Sequence, residues 1–191
     1  MALVVSDMSV SLDGYVTGPN DSRGNPFGDG AGMLHGWFGG AATDEDRAIL
    51  EQLLDNVGAV VMGRTSFEKN EGDGGWGDTG PAGYVPCFVV THHAPARSYP
   101  SVYTFVTDGV AGAIERAARV AGDKIVYLFG ATVMQQALPL GLVDEIHVHV
   151  VASLIGGGTP LFGTLDTAIS LERTQVVITP AATHLKFRVR R

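Results

Sequence analysis

The stretch Val60-Val61-Met62-Gly63-Arg64-Thr65-Ser66-Phe67-Glu68 constrains the fold of this 191-residue chain more than any other. Its apolar run reads as a buried strand, and the glycine lets the backbone turn straight into helix-forming residues, so a strand and a helix are joined by a tight turn. A turn of this kind leaves backbone N–H groups unpaired at the start of the helix and makes a seat for an anion. Arg64 adds a fork of donors suited to phosphate, and Thr65 and Ser66 add hydroxyls. A strand end capped by a solvated arginine is the simpler reading of the same residues.

Similar punctuation recurs along the chain. Residues 3–12, with Val4, Val5, Met8 and Val10, are expected to form a first strand that Asp13-Gly14 ends. Residues 17–43 show no period, and eight glycines with Pro19 and Pro26 mark a loop. That loop carries Phe27, His35, Trp37 and Phe38, which are costly to leave in water, so part of it is expected to be an ordered wall over a pocket. The plainer role for Trp37 and Phe38 is to anchor a surface loop.

Thr43 is placed to cap a helix, with Asp44, Glu45 and Asp46 at its positive end and Ile49, Leu50, Leu53, Leu54 and Val57 on one face. Strands follow near 87–91, 102–106 and 124–129, separated by a helix at 110–121. A second helix, 131–138, stops at Pro139, and 143–151 alternates as a strand. Two final strands near 174–178 and 183–189 form an antiparallel pair around Pro180. Helices interleaved with buried strands and closed by a hairpin imply an α/β fold: a mixed, mainly parallel sheet, helices on both faces and a C-terminal antiparallel hairpin. The length suits one domain, 1–191.

Composition restricts the partners. Twenty acidic against thirteen basic residues give a net charge of −7, which opposes non-specific binding to nucleic acid or to an anionic membrane surface. A phosphate site must then be a local basic exception. The single Cys87 excludes an internal disulfide framework, the start of the chain lacks an export signal, and no apolar run approaches the ~20 residues of a membrane span. A cytoplasmic location is expected.

Other motifs carry less chemistry. His147 and His149 share one face of the 143–151 strand and His92-His93 lies at a loop, yet neither pair has a third ligand at recognisable spacing, so no metal site is expected and the first pair reads as half-exposed strand residues. His35 is a candidate acid in the long loop, though a lone loop histidine reads more simply as solvated, and Ser11 and Cys87 lack an evident base partner. The Gly72-x-Gly74-x-x-Gly77 match to a dinucleotide fingerprint has no strand before it and Pro81 after it, so it is set aside.

Val61-Met62-Gly63-Arg64-Thr65 resembles the Val-Met-Gly-Arg-x-Thr segment of the dihydrofolate reductase superfamily, whose Arg and Thr hold the 2′-phosphate of NADPH. Met8-Ser9-Val10-Ser11-Leu12-Asp13-Gly14-Tyr15 looks like the MSLDG strand end of one branch, the riboflavin-biosynthesis reductase domain. Leu142-Val143-Asp144-Glu145-Ile146 with Gly156-Gly157-Gly158-Thr159-Pro160-Leu161-Phe162 looks like that branch's GLVDE and GGG..LF signature. The resemblance implies a dihydrofolate reductase-like three-layer fold. It also implies an NADPH-dependent reductase, similar to 5-amino-6-(5-phosphoribosylamino)uracil reductase, that acts on a C=N-type bond in a small heterocyclic substrate. A homodimer is a further implication.

By that resemblance Gly63, Arg64 and Thr65 would hold the adenosine phosphate, while Thr91 and His92 would line the adenine side. Phe129-Gly130-Ala131-Thr132-Val133 matches the family's Gly-Gly turn at the pyrophosphate; Phe129 replaces the first glycine, and its ring must point away from the cofactor or crowd it. Asp13 would be the acidic group at the substrate, Trp37 would border it, and Gly156, Gly157 and Gly158 would let a loop approach. Dihydrofolate reductases place a carboxylate about three residues before an aromatic pair. Matching that pair to Trp37-Phe38 puts Leu34 at the position, so dihydrofolate reductase is the alternative enzyme. A catalytically silent nucleotide-binding protein is the alternative from another class.

Overall fold

The computed structural model describes residues 2–40, 42–71 and 75–190. In chain order its elements are β1 (Val4–Ser11), β2 (Tyr15–Thr17), a 3-10 helix (Ala31–Phe38), α1 (Asp44–Asn56), β3 (Val57–Gly63), α2 (Arg64–Lys69), β4 (Cys87–Val90) and β5 (Tyr103–Val106). Then come α3 (Gly109–Ala121), β6 (Ile125–Phe129), α4 (Ala131–Ala137), β7 (Glu145–Val151), β8 (Thr159–Pro160), β9 (Leu171–Ile178) and β10 (Ala182–Val189). They form two compact units, Met1–Ser6 with Asn56–Asp144 and Asp7–Asp55 with Glu145–Arg191.

In the first unit the strand order is β5-β4-β3-β6-β1, and all four pairings are parallel. Parallel strands with both faces covered must be apolar throughout, and Ala59, Val60, Val61 and Met62 are fully buried in β3. α3 turns Val110, Ala113, Ile114 and Ala117 inward, which is its 3.6-residue period. Gly122, with φ 64, ends it in the left-handed region.

In the second unit the rest of β1 lies beside β7, followed by β10 and β9. β10 runs antiparallel to both β7 and β9, so the expected C-terminal hairpin is present. The mixed, mainly parallel sheet is the α/β class read from the sequence. At the start of α1 the Thr43 hydroxyl accepts the Asp46 amide at 3.2 Å, while the Asp46 carboxylate accepts the Thr43 amide at 2.8 Å. This is a reciprocal capping box, with Asp in the usual Glu position.

The structure departs from expectation within 15–43. Tyr15–Thr17 pairs with Thr159–Pro160 as a small separate sheet, and residues 31–38 are helical rather than irregular. Ala31, Leu34 and Trp37 are the buried positions of that helix, a period of three that suits a 3-10 helix and escapes a search at 3.6. Trp37 then packs with Ile49 and Ala182 in the core of this unit. The Gly72 to Gly74 part of the discarded fingerprint lies outside the described residues. Among the described residues no helix is long and apolar enough to cross a membrane.

Candidate functional site

The carboxyl ends of β3, β4 and β5 and the face of α4 enclose a pocket of about 600 Å³ in the first unit. Chain order moves outward from β3 to β4 to β5 and then returns to place β6 on the other side of β3. Open parallel sheets bind ligands outside their carboxyl ends at such a reversal. Gly63, Arg64, Thr65, Ser66 and Glu68 line one side, Thr91, His92 and His93 another, and Thr132 and Val133 a third. Seven of the ten residues assigned to a cofactor by resemblance therefore meet in one cavity.

Arg64 is held in place rather than free. Its Nε donates to Glu68 at 2.6 Å, and its guanidinium carbon lies 5.5 Å from the Phe105 ring centre and 5.9 Å from that of Phe67. Both partners of the ion pair are partly exposed, at 31% and 52%, so the pair orients the guanidinium more than it stabilises the fold.

Phe129, Gly130 and Ala131 do not line this pocket. The Phe129 ring packs edge-on against Trp76 at 5.1 Å and Tyr127 at 5.8 Å. Gly130 is needed for two reasons: its φ is 97, and an added Cβ would sit 2.7 Å from the Ser66 Oγ. This close approach ties the turn after β6 to the turn after β3.

The residues assigned to the substrate lie in the second unit. The Asp13 carboxylate accepts the Gly156 amide at 2.7 Å and the Ile155 amide at 3.1 Å. The Ser11 hydroxyl and then these two amides hold its carboxyl below the ordinary carboxylate range. Asp13 thus clamps the Gly156-Gly157-Gly158 loop as an ionised anchor. At Gly158, with φ 116, a Cβ would meet the Thr17 carbonyl oxygen at 2.0 Å, so the loop must lie bare against β2. Trp37 is only 3% exposed, and its indole N–H donates to Ser9 at 2.8 Å. His35 is wedged between Phe27 and Phe38, and burial pushes its imidazole down to about 4, in contrast to the solvated loop histidine expected. Leu34 is fully buried.

Residues 2–185 match the family described as RibD C-terminal domain. The chain belongs to that family. Its fold is similar to that of a Shewanella sp. PV-4 protein named for riboflavin biosynthesis, at 23% identity, with both chains fully covered and a TM-score of 0.73. It is also similar to the diaminohydroxyphosphoribosylaminopyrimidine deaminase/5-amino-6-(5-phosphoribosylamino)uracil reductase of Thermotoga maritima, at 14% identity, covering 98% of this chain and 56% of that one, with a TM-score of 0.64. A dihydrofolate reductase of Enterococcus faecalis complexed with NADP(H) aligns at 12% identity over 98% and 96% of the two chains, with a TM-score of 0.57. At these identities the likeness is one of fold.

This RibD C-terminal domain also contains a buried polar network that the sequence reading missed. His147 and His149, expected to be half-exposed, are 8% and 2% exposed. Asp7 bridges them, with Oδ1 2.9 Å from His149 Nε2 and Oδ2 3.2 Å from His147 Nδ1. His149 Nδ1 meets His184 Nδ1 at 2.7 Å, and His184 Nε2 meets Asp46 at 2.9 Å. The Trp37 ring lies over His149 with centroids 4.3 Å apart. Burial alone would raise the Asp7 carboxyl, but the charge on His149 and the hydrogen bonds from both histidines outweigh it and hold the group well below the ordinary range. The available signal was Asp7 itself, a charge inside a strand otherwise expected to be buried. Among the described residues no group of three or more ligating side chains is arranged to hold a metal.

Proposed function

We infer that this protein is an NADPH-dependent reductase acting on a small heterocycle in the cytoplasm, similar to 5-amino-6-(5-phosphoribosylamino)uracil reductase. The observation that carries the reading is the convergence of Arg64, Thr65, Ser66, Thr91 and Thr132 on one cavity at the strand ends. A fixed guanidinium and the hydroxyls of Thr65, Ser66 and Thr132 fit a phosphate-bearing ligand, because each of these hydroxyls can rotate its hydrogen toward a phosphate oxygen, whereas the Thr91 hydroxyl already donates to the His93 carbonyl at 3.0 Å. About 600 Å³ lies within the range of cofactor-sized sites.

NADPH supplies the hydride when bound, and the protein supplies binding and orientation. Glu68 engages Arg64 through Nε, so a 2′-phosphate would take the terminal nitrogens, while Thr65 adds a hydroxyl beside them. Gly130 lets the turn after β6 close on Ser66 and sets the position of Thr132 and Val133 on α4. Asp13 positions the Gly156 to Gly158 loop through two amides, a role that needs its carboxylate ionised. Trp37 acts from within the core, by holding Ser9 and His149 in place.

Titrating NADPH and NADH into the wild type and Arg64→Ala, with oxidation followed over a panel of ribosylaminopyrimidines and folates, tests the reading. NADPH is expected to bind more tightly than NADH, and Arg64→Ala to lose about ten- to a hundredfold in NADPH affinity, the equivalent of roughly 1.5–3 kcal/mol for a charge-assisted hydrogen bond. Equal NADPH affinity in the two proteins would remove Arg64 from the site. Dihydrofolate turnover is expected to be absent, because Leu34 offers no carboxylate. Tight binding with no oxidation across the panel would instead identify a silent nucleotide-binding protein.

A further inference from the structure

The contacts around His149 fix a proton count. Asp7 to His149, His149 to His184 and His184 to Asp46 are three short contacts joining four ionisable groups, and each needs one hydrogen between its two heavy atoms. Two neutral imidazoles bring two. Were both rings neutral with their hydrogens on Nε2 toward the carboxylates, two bare Nδ1 lone pairs would face each other at 2.7 Å in a buried core. Such a contact is repulsive, and burial makes an unsatisfied pair costly.

We propose that His149 and His184 form a one-proton site, an imidazolium hydrogen-bonded to an imidazole between Asp7 and Asp46, that fastens the Ala31–Phe38 helix through Trp37. Both carboxyls are held below the ordinary range, Asp46 because the Thr43 amide and hydroxyl, then Thr179 and His184, outweigh its burial. Neither carboxyl therefore retains the third hydrogen, which is left to the rings. Burial, with a smaller push from His149, outweighs the hydrogen bond to Asp46 and the nearby carboxylates and lowers the His184 imidazole. A second extra proton is refused.

The groups around the pair favour one positive charge there. From β1 comes Asp7, from α1 Asp46, and from β7 His147, whose Nε2 lies 3.2 Å from Glu145. On β10, Lys186 and Arg188 stand opposite His147 and Glu145, and Lys186 is turned to Gln52 at 2.9 Å. The Trp37 ring covers His149 and meets His184 edge-on at 5.0 Å, so the charge sits against an indole face. Because the three contacts need the third hydrogen, the proton belongs to the folded pair, and the stability it contributes is present at low pH. It is lost as pH rises through the folded value.

Nitrogen NMR of the wild-type protein labelled at histidine tests the count directly. At pH 7, three of the four ring nitrogens of His149 and His184 should carry hydrogen; two or four would overturn the proposal. A second measurement follows Trp37 emission against pH in a Trp76→Phe background, where Trp37 is the remaining tryptophan. A single one-proton transition above pH 7 is expected, and Asp46→Asn should move it down by about one unit or more, since an opposite charge within 4–6 Å is worth about 1–3 units. A transition that Asp46→Asn leaves in place would sink the assignment. Should Asp46→Asn fail to fold, Asp7→Asn makes the same test from the other side.

Discussion

The pocket at the ends of β3 and β4 and the buried network around His149 are both polar, yet they treat their polar groups in opposite ways. In the pocket, donors from the ends of three strands and from α4 remain open to solvent, and they include an arginine whose carboxylate partner Glu68 is half-exposed. In the network, five ionisable side chains from four strands and helices are nearly or wholly sealed, and they bond chiefly to one another. Unspent donors can serve a ligand, whereas spent ones hold the fold. The comparison separates a place suited to a ligand from a place that braces the fold, although both contain histidines and a carboxylate.

The sharpest break of that contrast comes from Asp7→Ala. Removing one partner of a buried charged network leaves the others uncompensated, so urea denaturation should show a loss of about 3–5 kcal/mol. A loss below 1 kcal/mol would mean that the network is wetter than its burial indicates. Acid should act on the same groups. Because Asp7 and Asp46 are both depressed in the fold, the stability they add is present above about pH 4 and is lost as pH falls through their folded values. Asp7→Asn should flatten that acid limb in a denaturation series.

Gly130→Ala probes the boundary of the pocket with a smaller effect. Its positive φ and the approach of Ser66 should together cost about 1–3 kcal/mol, and pairing it with Ser66→Gly should recover part of the loss. Full stability in Gly130→Ala would show that the turn relaxes easily. The smallest stability effect is expected at the functional end: Arg64→Ala should change unfolding free energy by no more than about 0.5 kcal/mol, because its ion pair is half-solvated. A stability loss as large as that of Asp7→Ala would erase the distinction between binding and bracing.

Much of the pocket was legible in the residues themselves. An apolar run, Gly63 and Arg64-Thr65-Ser66 specify strand, turn and helix locally, and Thr43 with Asp46 specifies the start of α1 within four residues. The first turn of a helix and the end of a strand depend on neighbours in the chain, so their chemistry can be read in order. The 3-10 helix was hidden only by its period of three.

The network could not be read that way. Asp7 and His149 are 142 residues apart, and Asp46 and His184 are 138 apart. Alternation along β7 put His147 and His149 on one face but left open whether that face met solvent or core. Pairing β10 against β7 in the register His184 to His149 decided it, and Trp37 then closed the face. The sequence by itself determined most of the elements, the turn that gathers Arg64, Thr65 and Ser66, and the family signature, because those rest on local conformation and spacing. Tertiary structure alone decided which titratable groups are dry and which touch, because burial and hydrogen-bond partnership depend on strands brought together from the two ends of the chain.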